Sequence, residues 1–234
     1  MEQGGDWLNG FQIDSLMDKT LFHGMRRGEI CAFLEYAKPT CVKLYEGQTL
    51  TAGKNYYNVL GLLVAGVVHV NSVDYDGTKT MLRAISAQGT SDMFYSSSDY
   101  QNRLIELSAF TDAEIMMFPP ESVLEADESV LLVQHKVLVN MIQTQRELFH
   151  DIKKKVEVLS QRTVRDKILR FLHWCSEEER CYEFTVPFTR EGLADFLAVD
   201  RASLSRSLSA LKREGVIDFH RNKFRIITTE QFRY

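Results

Sequence analysis

The spacing of hydrophobic and polar positions changes twice along the chain and divides it into three segments. Residues 40–118 hold short β-rich runs separated by glycine-containing turns, a pattern typical of a small antiparallel barrel or roll. A seven-residue repeat then runs through 129–160. After that repeat the pattern changes to a helix, a strand, two short helices and a final pair of strands. We therefore predict an α+β chain with domains at 1–128, 129–160 and 161–234.

The first segment is predicted to form a β-roll behind a short helical stretch at 14–37. Asp76-Gly77 indicates a tight hairpin turn, because glycine readily adopts the positive φ that such turns require. Glycines at 61, 66 and 89 separate further runs. The predicted strands are residues 40–45, 57–63, 67–73, 80–85, 104–107 and 113–118.

The seven-residue repeat of the second segment is typical of a coiled-coil helix. Its positions follow alternating steps of four and three residues, and all are apolar except His135 and Gln145. Polar residues in such a seam commonly set the register or the number of strands. We predict a parallel homodimer, and the alternative is a helix that packs only on its own domain. The seam positions are Leu131, His135, Leu138, Ile142, Gln145, Phe149, Ile152, Val156 and Leu159.

The third segment is predicted to hold a helix-turn-helix followed by a β-hairpin wing. Thr189 and Asp200 are suitable N-cap residues for its two short helices. The second helix is predicted over residues 201–213, and Gly215 ends it. A hairpin then follows at 216–219 and 224–227.

The second helix has one leucine-rich face and one face of arginine and serine. Short serine side chains permit close approach to DNA, and an arginine can bind guanine N7 and O6 with two hydrogen bonds. This pattern predicts a DNA-recognition helix, whereas the alternative is an ordinary helical hairpin with a basic exterior. The predicted DNA-binding residues are Thr189, Arg190, Arg201, Ser203, Ser205, Arg206 and Lys212.

Composition places the chain among soluble globular proteins. It has 234 residues, of which 44% are hydrophobic and 26% charged, and no apolar run approaches the ~20 residues that a membrane helix needs. The first residues lack the features of a signal peptide. Four cysteines without a CxxC pair argue against a disulfide-stapled secreted domain. We expect a cytoplasmic protein with no membrane partner.

The charge of the chain is unevenly distributed. Residues 161–234 carry 14 basic and 11 acidic side chains, whereas 1–160 carry 14 and 21. An acidic body with a basic C-terminal unit is consistent with a polyanionic partner. An ordinary solvated surface is the alternative, and charge alone does not decide between them.

Residues 188–217, FTREGLADFLAVDRASLSRSLSALKREGVI, resemble the DNA-binding motif of the CRP/FNR family of bacterial transcription regulators. The order of roll, long helix and winged helix-turn-helix also resembles that family. The resemblance implies a homodimer whose recognition helices enter successive major grooves of a palindromic promoter site. It also implies a contact with RNA polymerase.

By position, the resemblance implies base contacts for two arginines and a base or phosphate contact for one serine. Arg201 and Arg206 match recognition arginines, and Ser203 matches the contacting hydroxyl. Ala202 departs from the family pattern, which has a glutamate there that reads a base edge. The operator is therefore expected to differ at that step.

Family members that bind cyclic nucleotides use a Gly-Glu pair and an Arg-Ser/Thr-Ala triplet in the roll. Arg103 falls near the position of the phosphate-binding arginine, and Asp92 is the nearest acidic substitute for the ribose-binding carboxylate. These two residues are the candidate effector contacts. Leu104 and Ile105 replace the small polar pair and no Gly-Glu precedes them, which argues against cyclic AMP.

Other cofactors of the family are also disfavoured by the sequence. An iron–sulfur cluster needs a tight cysteine group, but only Cys31 and Cys41 lie in the sensor half. A lone His69 is weak evidence for haem. His173, Cys175 and Cys181 make a poor zinc set without a fourth ligand. The cofactor stays unassigned, and we expect an unidentified small-molecule effector or none.

The two alternative functions are an enzyme and a coiled-coil adaptor that does not bind DNA. The sequence has no GxSxG, HExxH, P-loop or dinucleotide-binding signature. An adaptor would not need Arg201, Arg206 and a basic wing on one side. If an effector acts, we expect it to shift the population between aligned and misaligned recognition helices through the seam at residues 135–142.

Overall fold

The computed structural model describes residues 10–51, 59–74, 76–89, 92–96 and 104–228. The chain divides after Leu148 into two compact units, 1–148 and 149–234. Each unit is described by itself below. The division falls within a long helix, and the boundaries 1–128, 129–160 and 161–234 remain a prediction.

The N-terminal helical stretch is broken into three short pieces. Helix α1 is Gly10–Met17, a 3₁₀ turn covers Thr20–Phe22, and α2 is Arg27–Ala37. Gly24 has a φ of +71°, which interrupts any continuous helix across this region. The helical stretch predicted at 14–37 is therefore confirmed in type and consists of separate short helices.

Within the described residues of the N-terminal unit, eight antiparallel strands form two four-stranded sheets, which confirms the predicted roll. The sheet orders are β1-β8-β3-β6 and β2-β7-β4-β5. Strands β2 and β6 were not predicted because each is only three or four residues long. The strands are β1 Thr40–Leu44, β2 Thr49–Thr51, β3 Val59–Ala65, β4 Val67–Val73, β5 Lys79–Ser86, β6 Met93–Ser96, β7 Leu104–Ala109 and β8 Ala113–Phe118.

Two hydrophobic clusters hold the N-terminal unit together. One lies between the sheets and includes Leu63, Val68 and Ile115. The other packs α1 and α2 on the roll through a triangle of aromatic rings, Phe22, Phe33 and Phe118, whose centroids lie 5.7–6.3 Å apart.

Gly61 permits close packing inside the roll. A Cβ at this position would lie 1.9 Å from the ring carbon Cζ of the buried Phe94. We expect Gly61→Ala to destabilise the N-terminal unit by about 1–3 kcal/mol, because the ring has to leave its packed position. Gly28→Ala is the matched control, since a Cβ at Gly28 meets nothing within 4 Å. Urea unfolding followed by circular dichroism measures both, and equal midpoints would contradict the prediction.

The long helix α4 spans Leu131–Leu159 and follows the short helix α3, Glu121–Leu124. Within the N-terminal unit, one face of α4 packs against its own domain. The amide of Asn140 donates to the carbonyl oxygens of Leu21 and His23 at 2.9 and 3.0 Å, and Val137 is buried. Among the described residues, no helix is long and apolar enough to cross a membrane.

As far as residue 228, where the described residues end, the C-terminal unit contains three further helices and a three-stranded sheet of order β10-β11-β9. Its core includes the rings of Phe171, Phe188 and Phe196, whose centroids lie 5.0–6.1 Å apart. The elements are α5 Val164–Glu179, β9 Glu183–Thr185, α6 Arg190–Phe196, α7 Arg201–Arg213, β10 Ile217–His220 and β11 Lys223–Ile226.

The last turns of α4 pack against α5 and α6 within this unit. Arg170 on α5 forms an ion pair with Glu157 at 2.6 Å. The ammonium of Lys155 lies 4.5 Å from the ring centroid of Phe196, and burial lowers the pKa of Lys155 to about 8. The end of α4 is thus an integral part of the C-terminal unit.

Candidate nucleic-acid interface

Helix α7 has the boundaries that the sequence predicted, and its ends are determined locally. The carboxylate of Asp200 accepts a hydrogen bond from the backbone N–H of Ser203 at 2.7 Å. Hydrogen bonds from Ser203 hold the pKa of Asp200 below its usual range. Leu204, Leu208 and Leu211 are buried, so the opposite face of α7 is directed to solvent.

The turn between α6 and α7 has a left-handed residue at its centre. Ala198 has a φ of +50°, and the N–H of Val199 donates to the carbonyl of Ala194 at 3.0 Å. Lys167 donates from its ammonium to the carbonyl of Leu197 at 3.1 Å. This arrangement satisfies carbonyl groups at the end of α6, as in a Schellman motif.

The left-handed turn predicts that Ala198→Gly stabilises the protein. An L-residue in this conformation costs about 1–2 kcal/mol, which exceeds the entropic cost of glycine in the unfolded chain. We expect a net gain of about 0.5–1 kcal/mol. The control Ala210→Gly, inside α7, should instead lose about 1 kcal/mol. Urea unfolding is followed by the fluorescence of Trp174 with Trp7 replaced by Phe, and a loss of stability in both variants would contradict the prediction.

The solvent face of α7 presents the predicted recognition side chains. Arg201, Ser205 and Arg206 are exposed, and Ser203 is half-buried. The guanidinium of Arg206 donates to the hydroxyl of Ser203 at 2.8 Å. Among the described residues, Arg201 has no hydrogen bond or ion pair. These groups can donate to base edges or phosphates.

Three other predicted DNA-binding residues are engaged with the protein itself. The hydroxyl of Thr189 caps α6 by accepting from the N–H of Gly192 at 3.1 Å. Arg190 and Lys212 both bond to carbonyl oxygens of the β10–β11 hairpin, which we call the wing, residues 217–226. No local sequence pattern indicates these two contacts, because they join residues that are close only after folding.

Of the two candidate effector residues, Asp92 is among the described residues and Arg103 is not. Asp92 is only 1% exposed, and its carboxylate accepts from the backbone N–H and the hydroxyl of Thr20. Burial raises the pKa of Asp92. The neighbouring Lys19 donates to the carbonyl of Ala87 at 2.6 Å. These contacts attach the residue before β6 and the residue after β5 to the start of the N-terminal 3₁₀ turn, whereas Arg103 lies outside the described residues.

The candidate metal and haem residues lie in separate environments. His69 is buried against the ring of Phe110, with centroids 5.2 Å apart. Cys31, Cys41, Cys175 and Cys181 all carry free thiols, and burial raises the pKa of Cys175 well above its usual value. In the part of the chain that the structure describes, no group of three or more His, Cys, Asp or Glu side chains is placed to hold a metal ion.

The predicted seam of α4 is largely open to solvent in the single chain. Phe149 is 71% exposed and Ile142 is 58% exposed. Leu138 and Leu159 are half-buried, and the polar positions His135 and Gln145 are exposed. Leu131, Ile152 and Val156 are exposed as well. Large apolar side chains aligned on one helix face are typical of an interface.

Comparison with known sequences identifies relatives of this chain. The Crp-like helix-turn-helix domain family matches residues 166–233. The transcriptional activator protein FnrL of Cereibacter sphaeroides is 24% identical over 214 residues, which cover 85% of this chain and 82% of FnrL.

Solved structures share the fold at low sequence identity. A CooA mutant from Carboxydothermus hydrogenoformans has a TM-score of 0.68 at 14% identity, with 90% of each chain covered. The CprK variant complexed with OCPA has a TM-score of 0.66 at 16% identity, covering 85% of this chain and 90% of that chain. These likenesses show that the roll, long helix and helix-turn-helix occur in the same order.

Proposed function

We propose that this chain, which is a DNA-binding transcription regulator of the CRP/FNR type and not an enzyme, binds a two-fold symmetric promoter site as a homodimer. The observation that carries the proposal is the recognition helix α7. Its leucine face is buried while its arginine and serine face is open to solvent. A helix of this kind, followed by a wing, fits the major groove.

Within the site, Arg201 and Arg206 are the proposed base-reading residues. Both are long enough to form paired hydrogen bonds to guanine. Ser203 and Ser205 provide hydroxyls for bases or phosphates beside them. Thr189, Arg190 and Lys212 belong to the same surface, and their roles are separated by the experiments below.

The homodimer is proposed to form through the seam of α4. The aligned exposure of Ile142, Phe149 and Ile152 supports this pairing, because monomeric proteins rarely leave such a contiguous apolar surface in water. The opposite face of the helix is already occupied by its own domain through Val137 and Asn140. In this arrangement 1–128 senses the effector, 129–160 dimerises and 161–234 binds DNA.

Regulation is proposed to act through a small-molecule effector bound in the roll. The structural relative CprK is solved in complex with OCPA, which supports ligand control in this fold. The engagement of Asp92 with Thr20 favours a structural role for that carboxylate. Cyclic AMP, haem and an iron–sulfur cluster remain disfavoured on the sequence, and regulation without an effector is the alternative.

RNA polymerase is the further proposed partner, and the cytoplasm is the proposed location.

Selection of genomic DNA fragments by the purified protein tests the proposal. Sequencing of the bound fragments should recover a two-fold symmetric site with half-sites about one helical turn apart. If nothing is recovered, the selection is repeated with cell extract to supply an effector. Asymmetric sites, or no enrichment in either condition, would overturn the proposed function.

A further inference from the structure

The wing contains an aromatic ring flanked by two cations. The ring of Phe219, on β10, lies 4.9 Å from the guanidinium carbon of Arg190 and 5.1 Å from the ammonium of Lys212. Arg190 begins α6 and Lys212 lies in the last turn of α7. The three residues therefore connect both helices of the helix-turn-helix to the wing, and we call them the wing clamp.

The guanidinium of Arg190 is held by aromatic rings and by a hydrogen bond. Its guanidinium also lies 5.6 Å from the ring centroid of Phe224, and its Nη2 donates to the carbonyl of Arg221 at 2.9 Å. Arg221 stands at the tip of the wing with a φ of +53°. Arg190 is half-buried, and this burial lowers its pKa.

Lys212 completes the clamp from the recognition helix. Its ammonium forms an ion pair with Asp218 at 2.6 Å and donates to the carbonyl of Phe219 at 3.2 Å. Both partners belong to the first strand of the wing. The ammonium of Lys212 is thus paired with a carboxylate on the protein surface before DNA arrives.

We propose that Arg190 and Lys212 are positioning residues, which clamp Phe219 and thereby hold Arg221 at the wing tip in place to contact a phosphate. The inference rests on the proposed DNA-binding function and deepens it. The first helix of a helix-turn-helix crosses the DNA backbone, and the bond from Arg190 keeps Arg221 beside that helix. Arg221 is exposed and its side chain has no hydrogen bond or ion pair among the described residues.

The first test needs no DNA and therefore does not depend on the proposed function. Hydrogen exchange of the wing amides is measured for Arg190→Gln and Lys212→Gln in the free full-length protein. The clamp predicts that exchange across 217–226 becomes roughly two- to tenfold faster. Arg213→Gln, an exposed arginine next to Lys212 and outside the clamp, should exchange as the wild type does. Unchanged exchange in both clamp variants would overturn the proposal.

The second test separates a clamp from a direct phosphate contact. Arg190→Lys keeps the charge but loses the planar stacking and the fork of donors, and Phe219→Leu removes the ring without changing any charge. The clamp predicts that both weaken binding to the selected site, and that Arg190→Gln adds little further loss in an Arg221→Gln background. A direct contact predicts instead that Phe219→Leu and Arg190→Lys bind as the wild type does. A direct contact also predicts a weaker salt dependence for Arg190→Gln. The slope of the logarithm of the binding constant against the logarithm of the salt concentration should become smaller in magnitude by about 0.9 per half-site.

A failure of all variants, including the wild type, to bind DNA would count against the proposed function alone. The exchange experiment would still decide whether the clamp exists. If the wing amides exchange faster in the clamp variants but Phe219→Leu binds DNA as the wild type does, the clamp exists but does not place Arg221 for DNA binding.

Discussion

Replacing Arg206 with alanine should weaken binding to the selected operator by about 30-fold or more. One guanine contact with two hydrogen bonds contributes about 1–3 kcal/mol of discrimination, and a symmetric site contains two of them. Each 1.4 kcal/mol corresponds to a tenfold change in affinity. A contribution of about 1 kcal/mol from each of the two contacts therefore gives the 30-fold loss as a lower limit. Fluorescence anisotropy with labelled duplex measures the loss, and sedimentation checks that the dimer stays intact.

Arg206→Lys distinguishes base reading from simple charge. Lysine keeps the positive charge but cannot present the paired donors of a guanidinium. We expect this variant to bind non-operator DNA as the wild type does, with an unchanged salt slope, while losing most of its preference for the operator. If Arg206→Ala bound the operator with wild-type affinity, the assignment of Arg206 as a base-reading residue would be wrong.

Placing a charge in the seam should separate the two copies. Ile142→Glu removes an apolar side chain worth about 1.5–3 kcal/mol of burial in each copy, before the cost of burying a carboxylate. Over two copies this corresponds to a dimer dissociation constant raised at least about 100-fold. Operator binding should fall in parallel, because a single recognition helix contacts only one half-site.

Gln143→Glu is the matched control for the seam. It adds the same carboxylate one residue along α4, at an exposed position that lies off the seven-residue repeat. We expect this variant to remain dimeric by analytical ultracentrifugation. Equal dimerisation of Ile142→Glu and Gln143→Glu would show that α4 does not pair through its seam.

The recognition helix was predictable because its signals are local. Asp200 lies directly before the first residue of α7, and Gly215 lies two residues after the last one. The leucines that form the buried face lie within the helix itself. The long helix is predicted over 129–160 and observed at Leu131–Leu159, since a seven-residue repeat over about four heptads is a strong pattern. In both cases the spacing along the chain alone contains the information.

The features that were not predictable depend on residues far apart in the chain. Asp92 was a candidate ligand because of its place in the sequence, but its carboxylate is bound by Thr20, 72 residues away. The sequence predicts a DNA contact for Arg190, and no local pattern indicates that its guanidinium also donates to the carbonyl of Arg221. Charge type and spacing cannot distinguish a cation that faces DNA from one that binds the protein.

Helix α4 makes contacts in both units of the chain. Asn140 and Val137 attach the helix to the N-terminal unit, whereas Glu157 and Lys155 attach its last turns to the C-terminal unit. Most seam side chains, among them Ile142, Phe149 and Ile152, are exposed, whereas Leu138 packs against the N-terminal core. A helix held in this way can align two DNA-binding units once its seam is paired.

Methylation interference at guanine N7 on the selected operator shows whether a symmetric dimer reads DNA through α7. We expect two clusters of interfering guanines, related by two-fold symmetry and about 10–10.5 base pairs apart. Arg206→Ala should remove the same guanine from each cluster. A single cluster, or two clusters that Arg206→Ala and wild type share completely, would contradict a dimer that reads DNA through α7.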